Sequence, residues 1–374
     1  MIYHFARRTI EPLSALLDGI GIDDAYAFSK KMFAPQISIF AYHRVGPQLH
    51  DWLYRSVNEY VFEKQIQWLK STHTIISLEE LADLIRENTQ PAGNVAVITF
   101  DDGYKDNYRY AFPILKKYRV PATIFLTTGC IDQRRLLWGD ALDYIVLTTD
   151  ADRIEHEQLG TIPIKTRKQK SSALFEIKQN IMKKIPNSQK LRLLEDLECD
   201  LGVEIPEHSG DDIMLSWDEV RRMREEGMLF GAHTVTHPIL SNTTFKEAQF
   251  EIEGSKHRIE EELGERISTF AYPNGKPADI NADTINLLKQ NNFTCAVTTL
   301  PTKITSGSDL LGLGRITTTD NYSLFKFLAS GLYSDGIHLI GFHKSARNHI
   351  PDKCFTDTAS PTQPSSPPGM GEYP

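Results

Sequence analysis

The stretch Val95-Ala-Val-Ile-Thr-Phe-Asp101-Asp102-Gly103-Tyr104 runs six apolar or β-branched residues straight into two adjacent carboxylates and a glycine. That order predicts a buried strand whose C-terminal end carries both acids, the edge at which parallel α/β folds place their active sites. Adjacent carboxylates repel. At a strand-to-loop turn the two side chains can diverge, and a nearby cation would keep both ionised. The alternative reading of the same residues is an Asp-Gly turn followed by a helix cap.

Outward from this stretch, similar short runs at residues 37–42, 122–126, 228–232, 267–272, 294–298 and 337–342 alternate with segments of helical periodicity. This is the pattern of parallel strands joined by crossover helices, hence an α/β fold. Capping boxes predict helix starts at Ser77 with Glu80, Ser216 with Glu219, and Thr244 with Glu247; the last helix should stop at Gly264. Residues 1–36 read as an N-terminal helical extension and 37–350 as the main domain. Within it, a charged and mostly helical insertion spans about 150–212, either a lid over the site or a peripheral helical pair. Residues 351–374, rich in Pro and Ser, read as a disordered tail.

Composition narrows the function classes. The 374 residues are 40% hydrophobic, ample for a core, and 41 basic against 49 acidic residues give a net charge of −8 with no basic block. Nucleic acid is therefore excluded as an expected partner. Cys130, Cys199, Cys295 and Cys354 are far apart and read as free thiols. Neither a signal-peptide core nor an apolar run of about 18 residues is present, so a cytoplasmic chain is expected, with a membrane-peripheral one near lipid-linked sugars as the alternative.

A second strand-like run, Phe230-Gly-Ala, empties into His233-Thr-Val-Thr-His237. Histidines four apart on one side of a helical turn can converge on one divalent ion. With Asp102 they form an N,N,O set that leaves a position for water, suited to zinc and also to cobalt or nickel.

Thr99-Phe-Asp-Asp-Gly103 and His233-Thr-Val-Thr-His237, in that order and each after a strand, resemble the first two motifs of the polysaccharide deacetylases, the NodB-homology or carbohydrate esterase 4 family. Phe270-Ala-Tyr-Pro-Asn-Gly275 resembles the third motif, and Leu215-Ser-Trp-Asp-Glu-Val220 and Tyr42-His-Arg-Val45 add support. The resemblance implies a distorted, incomplete (β/α) barrel and a metal-dependent hydrolase that removes N-acetyl groups from amino sugars of a polysaccharide. It implies Asp101 as general base, Asp102, His233 and His237 as ligands of a divalent metal, and the backbone N–H of Asn274 as an oxyanion donor.

Two positions depart from the usual pattern. Ala271 stands where the third motif usually carries an arginine that orients the base, and Arg315 is the candidate substitute. The general acid is His43, as in similar poly-N-acetylglucosamine deacetylases with an N-terminal Tyr-His, or else His343, which is followed by Lys344. Arg315, Tyr272 and Trp138 are the candidates for contact with substrate, whereas Trp68 and Trp217 read as packing residues. The alternatives are a non-catalytic glycan-binding protein on the same fold, suggested by Ala271 and Lys344, and a deacylase or deformylase of a lipid-linked sugar.

Overall fold

Hydroxyl caps set where the principal helices begin. Ser77, Ser216 and Thr244 each accept from the backbone N–H three residues on, and Glu80, Glu219 and Glu247 reach back to the cap N–H, closing all three expected boxes. Each cap contributes about 1 kcal/mol. Helix Phe245–Leu263 ends on Gly264 at φ 66°, the left-handed terminator expected there. Helix Leu78–Arg86 buries Leu78, Leu81, Ala82 and Ile85, one stripe at helical spacing.

The computed structural model describes residues 2–50 and 56–332. The expected strand at 337–342, His343, Lys344, Cys354 and the 351–374 tail lie outside the described residues. The strands are β1 (Ile37–Tyr42), β2 (Thr74–Ile75), β3 (Val95–Phe100), β4 (Thr123–Leu126), β5 (Arg153–His156), β6 (Gly160–Pro163), β7 (Leu229–Ala232), β8 (Thr269–Ala271), β9 (Cys295–Val297) and β10 (Ile316–Thr317). Eight of them form one parallel sheet in the order β10-β1-β3-β4-β7-β8-β9, with β2 beside the first residues of β3. The sheet's two edges, β9 and β10, do not pair with each other; instead the chain before β10 bridges them, with Ala296 N donating to Leu310 O and Thr298 N to Leu313 O. This is the distorted, incomplete (β/α) barrel of the NodB type.

Every residue of β3 is buried, and successive side chains enter different clusters. Ala96, Ile98 and Phe100 join the layer shared with the outer helices, while Val97 packs with Ile39, Phe125, Ala271 and Val297. Period-two alternation therefore sends Val97, Thr99 and Asp101 to the same side of the strand. The strand that decides the fold also decides which way its last carboxylate points.

Residues between Trp138 and Leu201, across the expected insertion, share an apolar cluster of their own. The insertion is less purely helical than its charge pattern implied, because β5 and β6 form an antiparallel hairpin. At the N-terminus, helices Ile2–Gly19 and Ile22–Phe33 are tied to helix Tyr322–Ala329 by Lys326, 2.7 Å from Asp18 and 2.9 Å from Asp24. Among the described residues no helix is long and apolar enough to cross a membrane.

Asp23 is wholly buried beside this ion pair, and neither carboxylate oxygen has a hydrogen-bond partner among the described residues. Burial pushes its pKa up to about 6, with Lys326 opposing and Asp18 and Asp24 reinforcing the shift. A carboxyl whose folded pKa is raised favours folding fully below the unfolded pKa and loses that contribution as pH rises through the folded value. Asp23→Asn is expected to stabilise the fold at neutral pH by roughly 1–3 kcal/mol, an advantage that vanishes below about pH 4. Equal thermal midpoints for the two proteins at neutral pH would refute this.

Candidate active site

Asp101 and Asp102 diverge because the backbone turns sharply between them and the next element. Asp102 sits at φ 75° and Gly103 at φ 81°, a left-handed pair that glycine adopts freely and aspartate at a cost of about 1 kcal/mol. Asp101 meets Arg315, and Asp102 meets the two histidines.

Strand β7 delivers His233. The segment from His233 to His237 is not the helical turn expected from the spacing; it is an irregular loop with Thr234 at φ 68° and His237 at φ 58°. Local hydrogen bonds impose this form. Thr234 Oγ1 donates to His233 O and accepts from His237 N, while Glu251 on helix Phe245–Leu263 accepts from Val235 N (2.7 Å), Thr236 N (2.8 Å) and Thr236 Oγ1 (2.6 Å). The loop brings the imidazoles together with ring centroids 4.8 Å apart and puts both Nε2 atoms 3.4 Å from Asp102 Oδ1. His233 Nδ1 lies 2.7 Å from Ala271 O, and a carbonyl can only accept, so Nδ1 carries the proton and Nε2 turns its lone pair toward Asp102.

Asp102 Oδ1 is buried with no hydrogen-bond partner among the described residues. An orphaned buried carboxylate oxygen facing two imidazole nitrogens fits a divalent cation, whose charge would supply the missing partner. Burial alone would raise the Asp102 pKa, but the neighbouring His233, His237 and His43 outweigh it and lower the value. Burial would lower that of His233, but Asp102 and Asp101 raise it, helped by Ala271 O. For His237 burial dominates and pulls the pKa down to about 3, favouring the neutral, ligating form.

Arg315 comes from the bridging chain just before β10, and its guanidinium is wholly buried. It grips Asp101 with two parallel bonds, Nη1 to Oδ1 and Nη2 to Oδ2, each 2.7 Å, and its Nε donates to Thr298 O at 3.0 Å. Burial would raise the Asp101 pKa, yet Arg315, with His233 and His43, holds it well below the usual carboxylate range. Arg315, from the chain just before β10, thus makes a contact with Asp101 that Ala271 cannot. His43, at the end of β1, has Nε2 4.0 Å from Asp101 Oδ2 and a ring that is 20% exposed, so it stands on the open rim.

Asn274 lies in the third-motif loop at φ 60°, followed by Gly275 at φ 60°, where a Cβ would come within 2.9 Å of Thr299 N. Its side chain donates Nδ2 to Asp279 Oδ2 and accepts at Oδ1 from Lys183 Nζ, 2.7 Å away. Tyr272 stays apart from the cluster: it is buried, and its hydroxyl donates to Leu311 O at 2.9 Å. Trp138 is also buried, and its Nε1 donates to His237 O at 3.0 Å, so it backs the histidine loop instead of lining an open face. Trp68 packs in the main core.

Glu251 and Lys183 escaped the sequence reading. Glu251 carried a usable signal, a carboxylate on the buried stripe with Ala248, Ile252 and Ser255. Lys183 carried none, being one lysine in a charged insertion.

The polysaccharide deacetylase family profile matches residues 88–296, more than half of the chain. The chain belongs to the polysaccharide deacetylase family. Among curated relatives, it is 28% identical to YxkH of Bacillus subtilis (strain 168) over 42% of this chain and 55% of that protein. It is 36% identical to the poly-β-1,6-N-acetyl-D-glucosamine N-deacetylase of Staphylococcus aureus (strain MSSA476) over 33% of this chain and 48% of that one. The chain thus spans about half the length of the curated relatives it matches. Its fold is similar to that of Streptococcus pyogenes deacetylase PplD in complex with acetate, with a TM-score of 0.54 and 22% identity, covering 79% of this chain and 97% of that one. IcaB from Ammonifex degensii gives a TM-score of 0.51 and 19% identity, covering 79% and 98% of the two chains.

Proposed function

We propose that this chain hydrolyses the N-acetyl groups of amino sugars in a polysaccharide or oligosaccharide. The observation that carries the reading is the pairing of two unlike carboxylates side by side: Asp102 with an orphaned oxygen between two imidazoles, and Asp101 locked on Arg315. A divalent cation held by Asp102, His233 and His237, zinc or else cobalt or nickel, supplies Lewis acidity when bound, lowering the pKa of water and polarising an acyl carbonyl. Asp101, kept ionised by Arg315, accepts the proton of the attacking water. The backbone N–H of Asn274 donates to the negative charge that develops on the acyl oxygen. His43, on the open rim 4.0 Å from Asp101, gives a proton to the departing amine, without which the tetrahedral adduct would collapse back to the amide.

Support also comes from the Staphylococcus aureus relative, a poly-β-1,6-N-acetyl-D-glucosamine N-deacetylase. The non-catalytic alternative leaned on Ala271 and Lys344; Arg315 makes the contact with Asp101 that Ala271 cannot, and Lys344 lies outside the described residues. The test is acetate and formate release from N-acylated oligosaccharides by chelated protein to which zinc, cobalt or nickel is returned. Metal-restored acetate release is the expected result; no release with any of the three metals sinks the proposal, and formate release alone would assign a different acyl group.

A further inference from the structure

Two side chains anchored in the apolar cluster between Trp138 and Leu201 reach loops of the site, and the hydrolytic reading gives neither a part. Trp138 and Met182 both belong to that cluster, Met182 with no exposure at all, and Lys183 follows Met182 directly. Trp138 and Lys183 therefore start from one packed body, and packing of that kind fixes whatever their polar ends touch.

The first contact is on the histidine loop. Trp138 Nε1 donates to His237 O at 3.0 Å, and Nε2 of the same histidine lies 3.4 Å from Asp102 Oδ1. The indole is held on its face as well: Lys190, buried on helix Asn187–Asp200, sets its ammonium 4.6 Å from the ring centre. His237 has φ 58°, a left-handed backbone that costs a non-glycine residue about 1–2 kcal/mol and persists only where its surroundings over-determine it. Glu251 takes the N–H groups of Val235 and Thr236, and Trp138 takes the carbonyl at the loop's end.

The second contact is on the third-motif loop, which begins just past Ala271, the residue whose carbonyl holds His233. Asn274 is left-handed too, at φ 60°. Its O accepts from Thr299 Oγ1 at 2.7 Å, its Nδ2 donates to Asp279 Oδ2, and its Oδ1 accepts from Lys183 Nζ at 2.7 Å. The backbone N–H, the proposed oxyanion donor, has no partner among the described residues. Asn242, in the chain beyond His237, donates Nδ2 to Lys183 O at 2.9 Å, so one lysine ties both loops to the same cluster.

We propose that the insertion braces the site, with Trp138 the positioning residue for His237 and Lys183 the positioning residue for the Asn274 N–H. The chemical roles of His237 and Asn274 rest on the deacetylase reading; the contacts that hold them do not. An insertion acting in this way is neither a lid nor a peripheral helical pair, and it divides its work: one contact serves the cation, the other the developing charge.

The test uses full-length Trp138→Phe, Lys183→Met and Lys183→Arg proteins. Trp68→Phe is the control, since it removes an indole N–H that serves Asp24, 2.7 Å away. Cobalt affinity, the visible spectrum of bound cobalt, kcat and KM for acetate release, and deuterium uptake of the two loops are read on each. Trp138→Phe keeps an aromatic ring beneath Lys190 and loses the N–H. Its cobalt affinity is expected to fall about tenfold, with an altered cobalt spectrum and faster exchange in the histidine loop. Lys183→Met keeps the stem and loses the donor. Its kcat should fall about tenfold at unchanged KM and cobalt affinity, with faster exchange in the third-motif loop, and Lys183→Arg should restore most of the loss. A merely structural role would move every readout together in each variant. That result, or cobalt affinity and kcat within about twofold of the parent, overturns the brace. A parent protein that releases no acetate removes the hydrolase, and the cobalt and exchange readouts then decide the brace by themselves.

Discussion

Asp101→Asn is expected to cut acetate release by about a hundred- to ten-thousand-fold while the protein retains its divalent ion. Asparagine is nearly the same size, so the strand and its burial are preserved, but its amide is not basic. It also turns an N–H donor toward Arg315, whose two parallel bonds to a carboxylate become one bond and one clash of donors. Metal content separates the roles, because Asp101 faces Arg315 whereas Asp102 faces the imidazoles. Elemental analysis beside an acetate assay decides the matter. Activity above about a tenth of the parent value would remove Asp101 from the proton-transfer step, and parallel loss of the metal would make it a ligand.

His233→Ala should fail differently, by losing the ion itself. The imidazole is one of the two that face Asp102 Oδ1 and is the one fixed at its far side by Ala271 O. Removing it takes away a ligand and strands a buried carbonyl, at a cost of about 1–3 kcal/mol in stability. Metal affinity is expected to fall by at least about a hundredfold, so that protein passed through a desalting column carries almost none. Full metal occupancy in this variant would show that the ion is held elsewhere.

How much of this was readable beforehand depended on the range of the interactions. β1 and β3 were legible to the residue, since five and six consecutive buried positions leave nearly continuous apolar runs. β2 and β10, two residues each, are shorter than any period and exist only because a neighbouring strand pairs with them. That Asp102, His233 and His237 cluster was legible from residue type and spacing, but the shape of the histidine loop was not. Spacing by four suggested a helical turn, and Glu251, distant in sequence, takes the loop's N–H groups and holds it irregular. Arg315 was identifiable only as a stand-in for a missing arginine; its hold on Asp101 spans 214 positions and becomes visible once the barrel curls. Tyr272 and Trp138 show the opposite limit, aromatic residues near the motifs whose polar atoms serve the backbone.

The barrel's unpaired seam gives Arg315 a second significance. One guanidinium joins the end of β9, through Thr298 O, to the side chains of Thr99 and Asp101 on and just beyond β3, while its own backbone leads into β10. The keystone of the arch and the holder of Asp101, the proposed base, are one residue. Drift that loosened the arch would consequently register first as a misaligned carboxylate, long before the chain unfolded, so selection on the chemistry also maintains the weakest joint in the architecture.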